Sequence, residues 1–521
     1  AAGVDLDGLA GGVIAEDFTN DGLLDLLASD WDVQGQLHFY RNNGDGTFED
    51  QTEKAGLTGL TGGLNMVQAD YDNDGLVDAL ILRGAWLNVG GKYPNSLLKN
   101  RGNGVFEDVT EAAGLLSFHP TQTAVWFDYN SDGNLDLFIG NEGEKNNPHP
   151  CELFRNNGNG TFTECARESG MDFSLFVKGV TSDDFDLDGR PDLYLSIRGS
   201  ENKLYRNAGP KTPGASPDSP WHFEDVTAKA GVGEPILSFP TWFCDYNNDG
   251  WPDILVAGYS LSRGPDVVAD YLGLKHSGER TRLYRNNRDG TFKDVSKEAG
   301  LYRMIYAMGS NFGDIDNDGF VDFYFGTGDP DFATLIPNRM FKNQGGTNFQ
   351  EVTTSGGFGH LQKGHAVAFA DLDNDGDQDI YESIGGAYTG DNYRNVLFEN
   401  PGTTNRLLHL KLEGVRTARS AIGARIKLDF TENGAARSVY RTVNSGGSFG
   451  ANSFRQEIGI GRANKATLEI TWPVSGTKQK FTDIQPGQLY TIREGETDLK
   501  SEPLKKFEFS RKASPHIHQH H

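Results

Sequence analysis

The chain has 521 residues, 73 acidic against 48 basic side chains for a formal net charge of −25, and 66 glycines against 5 methionines. That charge argues against nucleic acid as a partner, because phosphate contacts need clustered Lys and Arg. No apolar run reaches the roughly 18 residues of a membrane span, so neither a spanning helix nor a retained signal peptide is expected, and the length suits one large repeat domain plus an appendage.

The opening segment AAGVDLDG reads as a connector, and the first of seven nine-residue loops follows at Asp17. Each loop has Asp at its first, fifth and ninth places and Gly at its sixth, and the third place is Asp or Asn apart from Thr19. Oxygens at alternate places, completed by the carbonyl of the seventh residue, suit a hard cation that takes about six to eight oxygen ligands, which points to Ca2+. The expected ligand sets, one per loop, are Asp17, Thr19, Asp21, Leu23 and Asp25; Asp70, Asp72, Asp74, Leu76 and Asp78; Asp128, Asn130, Asp132, Asn134 and Asp136; Asp184, Asp186, Asp188, Arg190 and Asp192; Asp245, Asn247, Asp249, Trp251 and Asp253; Asp314, Asp316, Asp318, Phe320 and Asp322; and Asp371, Asp373, Asp375, Asp377 and Asp379. The sixth-place glycine allows the left-handed turn that wraps the ion. The loop resembles an EF-hand loop, but it closes with Asp at the ninth place and is flanked by strands, as AVWFD and LDLFIG flank the third copy. Seven bound ions would bring the net charge to about −11. An Asp-Gly turn without metal is the plain alternative, but seven clusters of uncompensated carboxylates would repel.

After each loop come a second strand, a variable loop, and a third strand with its hairpin, as in FYRNNGDGTFEDQT from Phe39 and LLKNRGNGVFEDVT from Leu97. Four short strands per repeat, seven times, predict an all-β fold built on a seven-bladed propeller. In repeat three, Cys151 and Cys165 flank a hairpin and are expected to face each other as a disulfide, while Cys244 reads as a core residue. In repeat four a Pro-rich stretch lengthens the hairpin between Leu204 and Trp221, and in repeat five the longest variable loop, Gly258 to Arg282, carries a short helix over VVADYLGL. Repeat seven ends at LFEN without a TFEDVT-like fourth strand, so the ring is expected to have an open edge.

Residues 1–400, organised this way, resemble the FG-GAP or VCBS propellers of integrin α-chains and, more closely, the cartilage acidic protein family. Residues 405–495, with SAIGARIKL from Ser420, GGSFGANS from Gly446, IGIG from Ile458 and LEITWPVSG from Leu468, look like the ASPIC/UnbV domain that follows such propellers, expected as a small β-sandwich-like domain. Residues 496–521 form a tail. Its KKFEFS segment, Lys505 to Ser510, could pair with the open blade of its own ring or a neighbour's. Its end places His516, His518, His520 and His521 in six residues, a site for Cu2+, Ni2+ or Zn2+ or else an appended tag, although a standard tag is an uninterrupted run.

If the first strand of each blade is innermost, the variable loops and blade connectors share the face opposite the metal loops. Trp31, Trp86, His149, Tyr259, His276 and Tyr388 fall on these loops, and His119, Arg303, His360 and His365 on connectors. Aromatic and polar groups mixed on loops suit glycan or protein contacts, though many will pack loop against loop. Evidence for catalysis is thin: GGSFG matches a nucleophile elbow around Ser448, but a strand-like FRQEIGIG follows where a helix is required. The expected function is therefore a secreted, extracellular or periplasmic calcium-binding protein, since such loops suit millimolar calcium, acting without catalysis in binding, adhesion or scaffolding toward a glycan or extracellular protein. The alternatives are a polysaccharide lyase-like enzyme drawing on His276, Arg303 and His365, or a fibre subunit that self-assembles by strand donation.

Overall fold

A computed structural model describes residues 2–510 apart from 88–89, 213, 215, 218, 262–263 and 445–447. Seven antiparallel sheets follow one another along the first 400 residues, six of four strands and the last of three. Blade two is typical, with strands Asn65–Ala69, Asp78–Leu82, Ser96–Asn100 and Phe106–Asp108 paired in sequence order. The first strands neighbour one another around the axis, and Val13–Glu16 meets Gly364–Ala370 to close the ring. Because blades cover both faces of these strands, they read as continuous buried runs, as in TQTAVWF over Thr121–Phe127. Between blades the cores are aromatic: Phe106 meets Phe18 edge-on at 5.4 Å and Phe39 at 5.9 Å.

The ring is closed by side chains as well as by packing. An Asn at or near the end of the third strand of every blade, buried in blades one to six and half-buried as Asn400 in blade seven, donates through Nδ2 both to the eighth residue of its own metal loop and to the second residue of the preceding blade's loop. Asn100 bonds Val77 O and Phe18 O, Asn156 bonds Leu135 O and Tyr71 O, and Asn207 bonds Pro191 O and Tyr129 O. Asn42 completes the circle by bonding Leu24 O and, 330 residues away, Leu372 O.

Blade seven comprises Gly364–Ala370, Asp379–Ile384 and Val396–Phe398, and among the described residues no fourth strand lies outside the last of these. The chain's first residues occupy the connector slot beside it: Ala2 O accepts from Phe48 N as Ala55 O accepts from Phe106 N. The tail segment does not supply the missing strand. Phe507 N donates to Asp373 O, Ser510 N to Gly46 O, and Phe509 is buried, so the segment crosses the seam between blades seven and one. The four tail histidines lie outside the described residues.

The second domain is a sandwich of two four-stranded sheets. One orders Gln456–Gly459, Leu407–Glu413, Gln488–Arg493 and Lys500–Pro503, and the other Ala435–Thr442, Arg425–Glu432, Ala466–Thr471 and Lys478–Ile484. Its last strand lies beyond residue 495. The domain sits on the metal-loop face and sends residues 448–455 down the propeller axis as a plug. Ala451 pairs with Ile14, Val367 N donates to Phe449 O, and Asn452 Oδ1 accepts from Phe369 N and Asn311 Nδ2. At Gly450 (φ 108°) a Cβ would stand 1.9 Å from Val367 O, so only glycine passes here. Ser448, fully buried, accepts from Thr241 N through its Oγ and so is a packing residue of the plug.

The expected disulfide is absent. Cys151 and Cys165 are both free and buried, because the hairpin register sets Cys165 opposite Leu153, where Cys165 N bonds Leu153 O, while Cys151 N bonds Phe173 O. The two thiols are therefore two positions out of step across the strands. Cys244 is likewise buried and free.

Candidate metal loops and ligand face

Each loop is held by its own carboxylates. In loop two, Asp70 accepts from the N–H groups of Asp74 and Gly75, Asp74 from Leu76, and Asp78 from Tyr71 and from Asn100 of the third strand. The fourth residue is left-handed as well as the sixth, at φ 60° for Asn73, and Asn73 Nδ2 reaches Gly133 O in the next blade's loop. Neighbouring loops are thereby tied into a belt.

The carboxylates converge most closely in loops two, four, six and seven. In these, Asp70, Asp72 and Asp78; Asp184, Asp186 and Asp192; Asp314, Asp316 and Asp322; and Asp371, Asp373 and Asp375 each offer oxygens within 4.8 Å of one another. A calcium ion about 2.4 Å from each ligand spans that separation. These are the loops with Asp at the third place. In loops three and five the third-place Asn instead donates to the fifth-place carboxylate, Asn130 to Asp132 and Asn247 to Asp249, and loop one carries Thr19. Burial, then repulsion from neighbouring aspartates, raises Asp70 to about 7 and Asp314 to about 8. Crowded carboxylates held this way are the donor set a divalent cation would stabilise. A third-strand cation meets several of the loops: Lys99 contacts Asp72 and Asp74, Arg206 contacts Asp186 and Asp188, and Lys342 contacts Asp316.

The sandwich docks on this belt with basic residues. Arg425 donates to Gly250 O, Arg437 to Asp318 O, Arg441 to Gly319 O, and the Arg419 N–H to Asn73 Oδ1. These acceptors are fourth-, fifth- and sixth-place groups, which leaves the seventh-place carbonyls for an ion. Loop seven differs, because His409 Nε2 lies 2.7 Å from Asp371 Oδ2 with both side chains buried. Burial pushes Asp371 upward, but the hydrogen bond and charge of His409 bring it below the usual carboxylate range.

A model of the FG-GAP-like repeat matches residues 17–81, 128–195, 184–256, 245–325 and 324–382. The chain belongs to the FG-GAP repeat family. An ASPIC and UnbV model matches residues 414–499, so this FG-GAP propeller carries an ASPIC/UnbV domain. The chain is 22% identical to human cartilage acidic protein 1 over 83% of its own length and 62% of that protein's. It is 23% identical to the mouse protein over 79% and 61%, so it spans about three fifths of these relatives. Among solved structures, BBS1N in complex with ARL6DN aligns at 10% identity and TM-score 0.40, covering 77% of this chain and 99% of that one. The six-bladed, fucose-recognising Aleuria aurantia lectin aligns at 9% and 0.34, covering 67% and 96%. Those scores are too low to bear on function.

On the opposite face, five of the eight residues expected on the ligand face come together. Trp31, Trp86, Tyr259, His365 and Tyr388 line one axial cavity of about 560 Å³ to which every blade but the third contributes. Phe449 of the plug lies beneath it, 5.4 Å from His365 and 5.1 Å from Phe239. The other three do not line it. His149 pairs with His119 at 2.9 Å, His276 is buried against Asp270 beside the helix Gly264–Tyr271, and Arg303 stays on its connector. His276, Arg303 and His365 therefore do not converge, as a lyase built on them would require. Sequence reading missed Arg198 and Lys363 in the cavity wall, because single cations on variable loops carry no pattern.

Proposed function

We propose that the chain is a secreted, calcium-binding propeller that acts without catalysis as a binding, adhesion or scaffold protein toward a glycan or extracellular protein. The observation that carries this reading is the division of the two faces. The sandwich covers the metal-loop face, while the variable-loop face gathers its aromatic residues around an open cavity. On this reading the seven loops hold calcium through the ligand sets named above, tightest where the third place is Asp, and the ions stiffen the belt on which the sandwich docks. Relatives named cartilage acidic protein 1 support an extracellular setting. No described helix is long and apolar enough to cross a membrane.

The test is thermal melting with and without chelator, paired with calcium titration. A sharp fall in melting temperature on chelation supports the reading, and an unchanged curve overturns it. A second reading, fibre assembly by strand donation, is favoured by the unpaired outer edge of Val396–Phe398. Deletion of residues 504–521, which spares the sandwich strand Lys500–Pro503, should abolish high-mass species if the tail donates the strand, and unaffected assemblies would rule the tail out.

A further inference from the structure

We infer that the axial cavity binds the terminal residue of an acidic saccharide through a carboxylate seated on Arg198, a proposal that rests on the loop-face reading above. Arg198 and Lys363 line the cavity and Lys178 lies behind its wall, 3.4 Å from the Trp86 ring centre; the two lysines are already matched. Lys178 pairs with Glu142 and Lys363 with Asp391, with both lysine side chains fully buried. Arg198 is only partly buried, and among the described residues its guanidinium forms no ion pair or hydrogen bond. It lies 5.3 Å from the ring centres of Trp86 and Phe176, which hold its plane without using its donors. A guanidinium so placed offers a planar fork to a carboxylate.

A second observation is independent of charge. Tyr259 and His365 line the cavity at 1% and 6% exposure, and among the described residues neither the Tyr259 hydroxyl nor His365 Nδ1 has a hydrogen-bond partner. Buried polar atoms are normally satisfied, so these two are groups that ligand hydroxyls would complete. Trp31, Trp86 and Tyr388 supply apolar surface suited to the C–H face of a pyranose. The volume falls within the range of small-ligand sites, about 300–1,000 Å³. The plug residue Phe449 packs against the cavity-lining His365, so the plug stands behind the cavity on the axis and the site suits a chain end.

The test uses the intact calcium-loaded protein with trigalacturonate and its methyl ester, an uncharged counterpart, followed by tryptophan fluorescence and calorimetry. The acid should bind and the ester should bind at least about tenfold more weakly, the scale of one lost charge-assisted contact. Arg198→Gln should abolish that preference. Tyr259→Phe should weaken binding without lowering the melting temperature, since the hydroxyl it removes bonds nothing among the described residues. Equal binding of acid and ester, unchanged affinity in Arg198→Gln, or equal competition by polyglutamate would each overturn the inference. If chelation still lowers the melting temperature but trigalacturonate does not bind, this inference alone falls. Cleavage of the probe would instead overturn the non-enzymatic reading.

Discussion

Replacing Asn100 by Ala tests whether the asparagine staples hold the ring. Asn100 is fully buried; its Nδ2 donates to Phe18 O at 2.9 Å and Val77 O at 3.1 Å, and its Oδ1 accepts from Gly102 N at 2.9 Å. The alanine variant leaves the buried Phe18 carbonyl and the part-buried Val77 carbonyl unpaired at about 1–3 kcal/mol each, a loss of about 4 kcal/mol. With an unfolding entropy near 2.1 cal/mol/K per residue, a chain of this length should melt about 4 °C lower. Asn100→Asp should be at least as destabilising, because an acceptor would then face two carbonyl oxygens. Asn42→Ala should lose as much, since Asn42 makes the equivalent bonds across the seam to Leu24 O and Leu372 O. Asn43→Ala is the control: its exposed side chain bonds only the half-buried Thr47 hydroxyl and should cost less than about 0.5 kcal/mol. The assay is scanning calorimetry in saturating calcium. A shift below about 1 °C for Asn100→Ala would refute the reasoning, and a silent Asn42→Ala would refute closure of the ring by this bond.

Other outcomes follow from the loops, the plug and the thiols. Asp70 and Asp184 are raised to about 7, chiefly by burial, so in chelator the folded state binds protons more tightly than the unfolded one. That contribution is full below pH 3.8 and is lost as pH rises to about 7, so metal-free protein should melt higher near pH 5.5 than near pH 8, with calcium reversing the order because protons compete for the same oxygens. Removing the Lys99 ammonium from Asp72 and Asp74 with Lys99→Gln should tighten calcium at loop two, read by titration; weaker binding would show that the lysine helps hold the site. Phe449→Ala should cost about 3–5 kcal/mol as a buried large-to-small change, read by denaturant unfolding. Denatured, unreduced protein should titrate three thiols, and one thiol would restore the Cys151–Cys165 bond.

The repeat was legible because it is written in backbone chemistry. Asp at alternate places, Gly at the left-handed sixth place and short apolar strands are local demands, met within nine residues, and seven copies of them named both the propeller and the family. The open edge of blade seven was visible for the same reason, as a missing segment in a repeating text. The third-strand Asn was in plain view in YRN, LKN and FRN, but its meaning was not, because one of the two hydrogen bonds its amide donates goes to the preceding blade. The disulfide failed on register: a two-residue offset across a hairpin moves two cysteines out of reach, and spacing does not encode that offset. GGSFGANS had no assignable role by itself. Only its insertion between the inner strands explains Gly450 and the burial of Ser448. The sequence by itself determined the loops, the strands and their number. The tertiary structure alone decided which face the sandwich covers and which five of eight loop residues meet around the axis, because convergence depends on ring closure, and ring closure joins residues hundreds of positions apart.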